Sequence, residues 1–350
     1  MSTAITRRGF LAATAAAAAG IGAPAVLRAQ TFTFKFHHFL GPTSPSHARF
    51  LEPWARRVEA LAGGAVKIEI YPSMTLGGRP PELINQARDG VVDLVWTVNG
   101  YTPGLFPRTE VMELPFVYVN DPVAANLTLY DMFDDHLREE YSGVEVMFLH
   151  VHAGQALHTR DRLVRRPEDW AGLKIRIPTR TGAWVIEAMK ASPSAMPVTE
   201  LPQALAKGVV DAALIPFEII PALRLHEQTR YQIEGHANTR FGNTTFQVSM
   251  NAARWASLPN EIKEVFRTAS NREWVAEVGR IWRQTENEGL EFAVKSGNEH
   301  IELSQEETEA YRAWLEPVVA RWVDDVKAKG VDGAALVDRA RQLMAANSSR

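Results

Sequence analysis

From Thr31 to His37 apolar and polar positions alternate, with Phe32, Phe34 and Phe36 on one face, which predicts a strand. A Pro/Ser/Gly loop at Gly41–Ser46 leads into a helical period carrying Phe50, Leu51, Trp54, Val58 and Leu61, stopped at Gly63-Gly64. Pro53 falls inside that period, where it should kink the helix or cost about 3 kcal/mol. Val66, Ile68 and Ile70 predict a second strand, Pro80-Pro81 open a helix that ends at Gly90, and Val91–Thr97 reads as a third strand. A β-α-β-α-β order implies parallel strands joined by right-handed crossovers.

The order then repeats. Val144–Val151 and Leu173–Ile177 are apolar strands, a helix follows around Gly182–Lys190, and Val209–Ile215 has a buried-strand pattern. After a strand at Thr245–Asn251, one helical stretch from about Pro259 to Lys295 would span roughly 55 Å, enough to brace two lobes. Ser304 with Glu307 forms a capping box that opens a further helix. The fold class expected is α/β, in two lobes with a cleft between them and a long bracing helix. Ligands in such sheets sit beyond the carboxyl ends of the strands.

The first thirty residues follow a different pattern. Arg7-Arg8-Gly9-Phe10-Leu11 opens an alanine-rich apolar run interrupted by Gly20, Gly22 and Pro24, too short for a membrane span of roughly 18 residues. No acidic residue precedes Glu52. Residues 1–29 therefore read as a twin-arginine signal peptide cut after Ala29, which predicts a periplasmic protein. Losing Arg7, Arg8 and Arg28 leaves 35 basic against 41 acidic residues, a net of −6, which argues against a nucleic-acid partner. No later segment carries 18 uninterrupted apolar residues. A chain that is 46% apolar and 23% charged has the material for real cores, and without cysteine it has neither disulfides nor a thiolate nucleophile.

Candidate chemistry gathers after the strands. Arg176 interrupts an apolar strand, and a buried guanidinium needs an anion, either an internal carboxylate or a ligand's. His38 and Phe39 follow the first strand; Trp96, Asn99 and Tyr101 follow the third; Ile215, Phe217 and Glu218 follow the Val209–Ile215 strand. Phe241 and Asn243 stand near a lobe crossing. His150-Val151-His152 has a spacing a metal can use, with His158 close in sequence. Strand-end histidines bonded to backbone explain it more simply, so neither metal nor cofactor is expected. No H-E-x-x-H, G-x-S-x-G or P-loop occurs, and no catalytic set stands out.

Five short motifs then occur in a recognisable order: Leu76-Gly77-Gly78, Gly90-Val91-Val92-Asp93, Leu114-Pro115-Phe116, Gly172–Pro178 and Gly208-Val209-Val210-Asp211. With these the chain, from about Thr31 to Asp325, resembles the periplasmic solute-binding proteins of tripartite ATP-independent periplasmic (TRAP) transporters. The resemblance implies a type II periplasmic-binding-protein-like fold that closes on an organic anion and hands it to a membrane permease. Arg176 matches the family arginine that pairs with the ligand carboxylate. Lobe I would be residues 30–151 plus about 241–280, lobe II residues 152–240 plus about 281–350, and the protein a monomer.

Two departures narrow the ligand. Ala213-Leu214-Ile215-Pro216 stands where many members carry an asparagine, and Ala156 where some have a second arginine. Each removes a polar partner, so a monocarboxylate with an apolar or aromatic body is expected, and a sugar acid is disfavoured. A dicarboxylate receptor is the alternative, with His38 or His158 protonated as the second cation. A periplasmic metal-dependent hydrolase using His150 and His152 is the reading from a different class.

Overall fold

The computed structural model describes residues 31–348, so the expected signal peptide lies outside the described residues. Eleven strands form two sheets: β1 (Phe32–His38), β2 (Val66–Tyr71), β3 (Leu94–Val98), β4 (Val144–Val151), β5 (Ala156–Thr159), β6 (Lys174–Ile177), β7 (Ser192–Ala195), β8 (Ala212–Ile215), β9 (Tyr231–Glu234), β10 (Thr245–Asn251) and β11 (Glu299–Glu302). The first sheet has the order β2-β1-β3-β10-β4, and the second β11-β9-β5-β8-β6-β7. The first contains the parallel trio the alternating pattern implied, β2-β1-β3. The second holds a matching trio, β7-β6-β8, but its β7 has no alternating signal, and Val144–Val151, expected to open the second repeat, pairs with β10 in the first sheet instead. The returning strand β10 runs antiparallel between β3 and β4, so chain from beyond the second sheet completes the first.

The two Gly-Val-Val-Asp motifs do the same job in each lobe. Gly90 and Gly208 take positive φ (71° and 66°), which glycine adopts at little cost, to end a helix. Val91 and Val209 are then exposed in the turn, so β3 and β8 begin later than their apolar runs suggest. The aspartate closes each unit. Asp93 Oδ2 accepts the Lys35 N–H of β1 at 2.8 Å, and Asp211 Oδ2 accepts the Lys174 N–H of β6 at 2.8 Å.

Pro53 lies where a π-helical turn, His47–Leu51, passes into the α-helix Glu52–Leu61, so the break in regular α-helical bonding that a proline imposes falls at this change of helix type. The single long helix expected from Pro259 is two, Asn260–Ala269 and Arg272–Lys295. Asn271 breaks it by capping the second, its side chain accepting from Trp274 N at 3.0 Å. The remaining 24 residues, about 36 Å, still bridge the lobes. Gly279 lies against the backbone of Val123, on the helix Pro122–Met132 beside the first sheet, and Gly289 lies against Phe217 and Glu218 of the second.

The expected assignment of residues 281–350 to lobe II fails at its end. The last helix, Gly333–Ser348, packs on Pro122–Met132, and Asn347 bonds to Asp131 there at 3.2 Å and to Arg272 at 2.9 Å. The helix before it, Gln305–Lys327, does pack on the lobe II helix Arg180–Ala188.

Phe34, Phe36, Phe50 and Trp54 are fully or almost fully buried in the first core; Trp170, Ile175, Ile186 and Tyr311 fill the second. A buried ion triad sits where the lobes join. Arg240 pairs with Glu234 at 2.9 Å and with Glu286 of the long helix at 3.0 Å, all three side chains at most 5% exposed. Its guanidinium also lies over the Phe217 ring, 4.8 Å from the centroid.

Candidate functional site

Between the sheets, beyond the carboxyl ends of β1, β3, β6 and β8, the chain leaves a narrow pocket, with a cavity volume of about 40 Å³. Most of its wall is apolar or aromatic. Phe39 stacks on Trp96 (4.7 Å between centroids, 7° between planes), and Trp96 stacks on Phe246 (5.3 Å, 4°). The Trp96 indole donates to His150 Nε2 at 2.9 Å, fixing the ring's rotation. Trp282, from the long helix, closes the same wall.

One cation enters this apolar space. Arg176 is 2% exposed, and its Nε and Nη2 both donate to the Met196 carbonyl, at 3.1 and 2.9 Å. The Tyr101 hydroxyl lies beside it and accepts the Val198 N–H at 2.9 Å. No carboxylate among the described residues forms an ion pair with Arg176; beyond the Met196 carbonyl its guanidinium meets the Tyr101 side chain and lines the pocket. Burial pulls its pKa below the usual guanidinium value, with Tyr101 opposing. The internal salt bridge that sequence left open is thereby set aside.

Of the predicted residues, Arg176, Phe39, Trp96, Tyr101 and Ile215 line the pocket together. Six do not, because each has a structural partner behind the wall. His38 Nε2 bonds to His47 Nδ1 at 2.8 Å. Asn99 donates to the Tyr141 hydroxyl (3.0 Å) and accepts from Gln247 (2.7 Å). His158 is held by Gln232 and, at 3.0 Å, by the Ile215 carbonyl. Phe217 packs under Arg240 against His158, Phe241 joins Trp170 and Tyr311 in the second core, and Asn243 accepts its neighbour's Thr244 N–H at 2.8 Å. Neither His38 nor His158 can act as a second cation: burial drives their pKa values down to about 3 and about 4.

Sequence reasoning missed Gln155, Thr244, Phe246 and Trp282 as wall residues and singled out His152 only for a metal; Glu218, noted there after its strand, does line the pocket. His152 Nδ1 accepts the Gly154 N–H at 2.9 Å, so the neutral ring carries its proton on Nε2. Burial and the neighbouring His150, Arg240 and Arg176 hold it neutral. The His150-Val151-His152 pair is committed to the protein: the neutral His150 accepts the Trp96 indole N–H at Nε2 (2.9 Å), and its Nδ1 lies 3.2 Å from the Val151 carbonyl, to which it donates. No group of three or more metal-ligating side chains occurs among the described residues.

Several contacts hold the lobes together around the pocket. Arg180, on the helix after β6, grips Glu110 through two 2.6 Å hydrogen bonds and Asp325 at 2.8 Å. Thr181 donates to Glu113 Oε2 at 2.6 Å, while Glu113 Oε1 accepts from Thr245 N and Oγ1. At the exposed rim Arg79 meets Glu200 at 2.7 Å. Gly100 lies so close to Thr179 across the cleft that a Cβ would overlap its side chain.

Buried titratable groups set the acid limit of this structure. His38 and His150 (about 3) and His158 (about 4) lie below the ordinary 6.5 because burial penalises their charged forms, so the unfolded chain takes up protons first as pH falls. Glu113 and Glu140, pushed up to about 7 by burial, act oppositely, their stabilisation being lost as pH rises from 4.5 to 7. The two sets offset one another between pH 4.5 and 6.5; below that the histidines still titrate, and carboxylates held low by hydrogen bonds, such as Glu288 with Arg49 and Glu307 with Ser304, lose their stabilisation in the same direction. At roughly 1.4 kcal/mol per group per pH unit, calorimetry should find the melting temperature changing modestly from pH 7 to 5 and dropping steeply from 4.5 to 3. A melting temperature that holds to pH 3 would contradict this.

A comparison with protein families matches residues 36–325 to the bacterial extracellular solute-binding proteins, family 7. The chain belongs to that family. It is similar to a marine metagenome TRAP solute-binding protein specific for aromatic acid ligands, solved with metahydroxyphenylacetate (35% identity, 90% of this chain and 99% of that one, TM-score 0.87). It is similar as well to a TRAP solute-binding protein of Rhodoferax ferrireducens solved with copurified benzoate (33%, 91% and 99%, TM-score 0.88). Among curated relatives, the C4-dicarboxylate-binding periplasmic protein of Rhodobacter capsulatus is 25% identical over 90% of this chain and 93% of that one. This family 7 chain is thus a solute-binding receptor and not an enzyme, which removes the hydrolase reading. Receptors of this kind work in the periplasm with membrane permease subunits, and no described helix is long and apolar enough to cross a membrane.

Proposed function

We propose that this receptor captures an aromatic monocarboxylate in the cleft and delivers it to TRAP permease subunits as a monomer, after export directed by residues 1–29. The observation that carries the ligand class is Arg176, a buried guanidinium without a carboxylate partner, set in a wall of stacked aromatic rings. A ligand carboxylate supplies the missing charge in a bidentate pair, and an aryl body gains roughly 25 cal/mol for each Å² of apolar surface buried. The aromatic acids bound by the metagenome and Rhodoferax proteins support the same reading. Lobe I, built on the first sheet, and lobe II, built on the second, would close over the ligand as rigid bodies.

The test is calorimetry on the mature protein with benzoate, succinate and glucuronate in one buffer. Benzoate should bind at least tenfold tighter than either of the others. Tighter succinate binding would instead make this a dicarboxylate receptor, and tighter glucuronate binding would overturn the reading of Ile215 and Ala156.

A further inference from the structure

The pocket has a second polar end. Glu218 lies in the short 3₁₀ turn Phe217–Ile219 after β8, is 3% exposed and lines the cavity. Its Oε2 is buried without a hydrogen-bond partner, which is costly for a group that accepts so strongly. The backbone holds it there firmly: its own N–H donates to Glu286 Oε2 at 3.1 Å, and Gly289 of the long helix presses on its Cα.

Arg176 and Glu218 reach this space from different elements. Arg176 is on β6, paired in register with Ala213 of β8. The turn carrying Glu218 leaves the end of β8, whose other neighbour is β5, and packs on the long helix. The charges that act on each differ too: Tyr101 and Glu200 act on Arg176, Glu286 on Glu218.

We infer that Glu218 is a specificity-determining residue, accepting a hydrogen bond from a ring hydroxyl at the end of the ligand remote from its carboxylate. The inference rests on the aromatic-monocarboxylate reading of the same pocket and names the subclass, phenolic acids. The same end disfavours a second carboxylate, because Glu286 lies beside Glu218 and the nearby Arg240 is already paired with Glu234 and Glu286. Burial and Glu286 raise the Glu218 pKa well above the usual carboxylate range, and a protonated carboxyl still offers an acceptor oxygen to the phenol.

The experiment compares benzoate, 3-hydroxybenzoate, 4-hydroxybenzoate and isophthalate by calorimetry on wild type, Glu218→Gln and Glu218→Met, with melting curves to verify folding. The readout is the ratio of dissociation constants within each variant, so a general loss of affinity cancels. Wild type should bind one of the hydroxybenzoates at least tenfold tighter than benzoate and reject isophthalate. Glu218→Met should bring the hydroxyl ratio to about one, and Glu218→Gln, which keeps an acceptor, should retain most of it. An unchanged ratio in Glu218→Met, or no hydroxyl preference in wild type, overturns the role of Glu218 and leaves the parent reading standing. Failure of all four acids to bind wild type overturns both.

Discussion

Replacing Arg176 by alanine should weaken benzoate binding by about thirtyfold to several thousandfold, the roughly 2–5 kcal/mol cost of truncating one partner of a buried, hydrogen-bonded charge pair. The loss falls at the upper end for a physical reason. The pocket offers no other cation, since His38, His152 and His158 are all held neutral by burial, so the ligand carboxylate would be desolvated against an apolar wall. Lysine should recover only part of the affinity. It lacks the fork that lets Nε and Nη2 anchor to the Met196 carbonyl while the other donors serve the ligand. Calorimetry that finds the alanine variant within threefold of wild type would refute the assignment.

Closure should be as sensitive to a residue that touches no ligand. Gly100 follows β3 and abuts Thr179 at the head of the helix Arg180–Ala188, on the opposite side of the cleft. Gly100→Val places three carbons where there is no room for one, and overpacking of this kind costs about 1–3 kcal/mol. Here the strain exists only when the lobes meet, so the lobes will part to relieve it. Apparent affinity should fall by roughly 5- to 150-fold, because the competent closed form becomes a minor population. Small-angle scattering of the variant at saturating benzoate should give a larger radius of gyration than wild type. Adding Thr179→Gly, which removes the opposing atoms at a cost of only a few tenths of a kcal/mol as a helix cap, should restore both values. A Gly100→Val protein with wild-type scattering and affinity would place the closing contact elsewhere.

What sequence made legible was set by local chemistry. Alternation and glycine-terminated helices located the first parallel trio and two strands of the second, but not β7, whose Ser192–Ala195 has no apolar alternation, and Arg176 stood out because its strand was otherwise apolar. The side toward which a residue after a strand points was not legible. Phe39 and Tyr101 enter the pocket, while their neighbours His38 and Asn99 turn back to His47 and Tyr141, partners set by tertiary packing. Trp282 and Phe246 were out of reach for another reason: they come from the bridging helix and the returning strand, far along the chain from the sheets they complete. Glu218 carried a signal, an acid directly after an apolar strand, but only its unpartnered oxygen marks it as more than a surface charge.

The triad of Arg240, Glu234 and Glu286 bears on how such a receptor can change over generations. Removing one partner of a buried ion set strands the others and costs roughly 3–5 kcal/mol, a large share of a protein's total stability. The three residues come from the end of β9, the crossing to β10 and the bridging helix, so no single substitution can exchange them gracefully. Apolar wall positions such as Leu40, Val98 and Val198 are under no such bond and can be swapped one at a time for less than about 1.5 kcal/mol when volume is kept. Descendants of this chain can therefore wander in diet while inheriting their joint as a block.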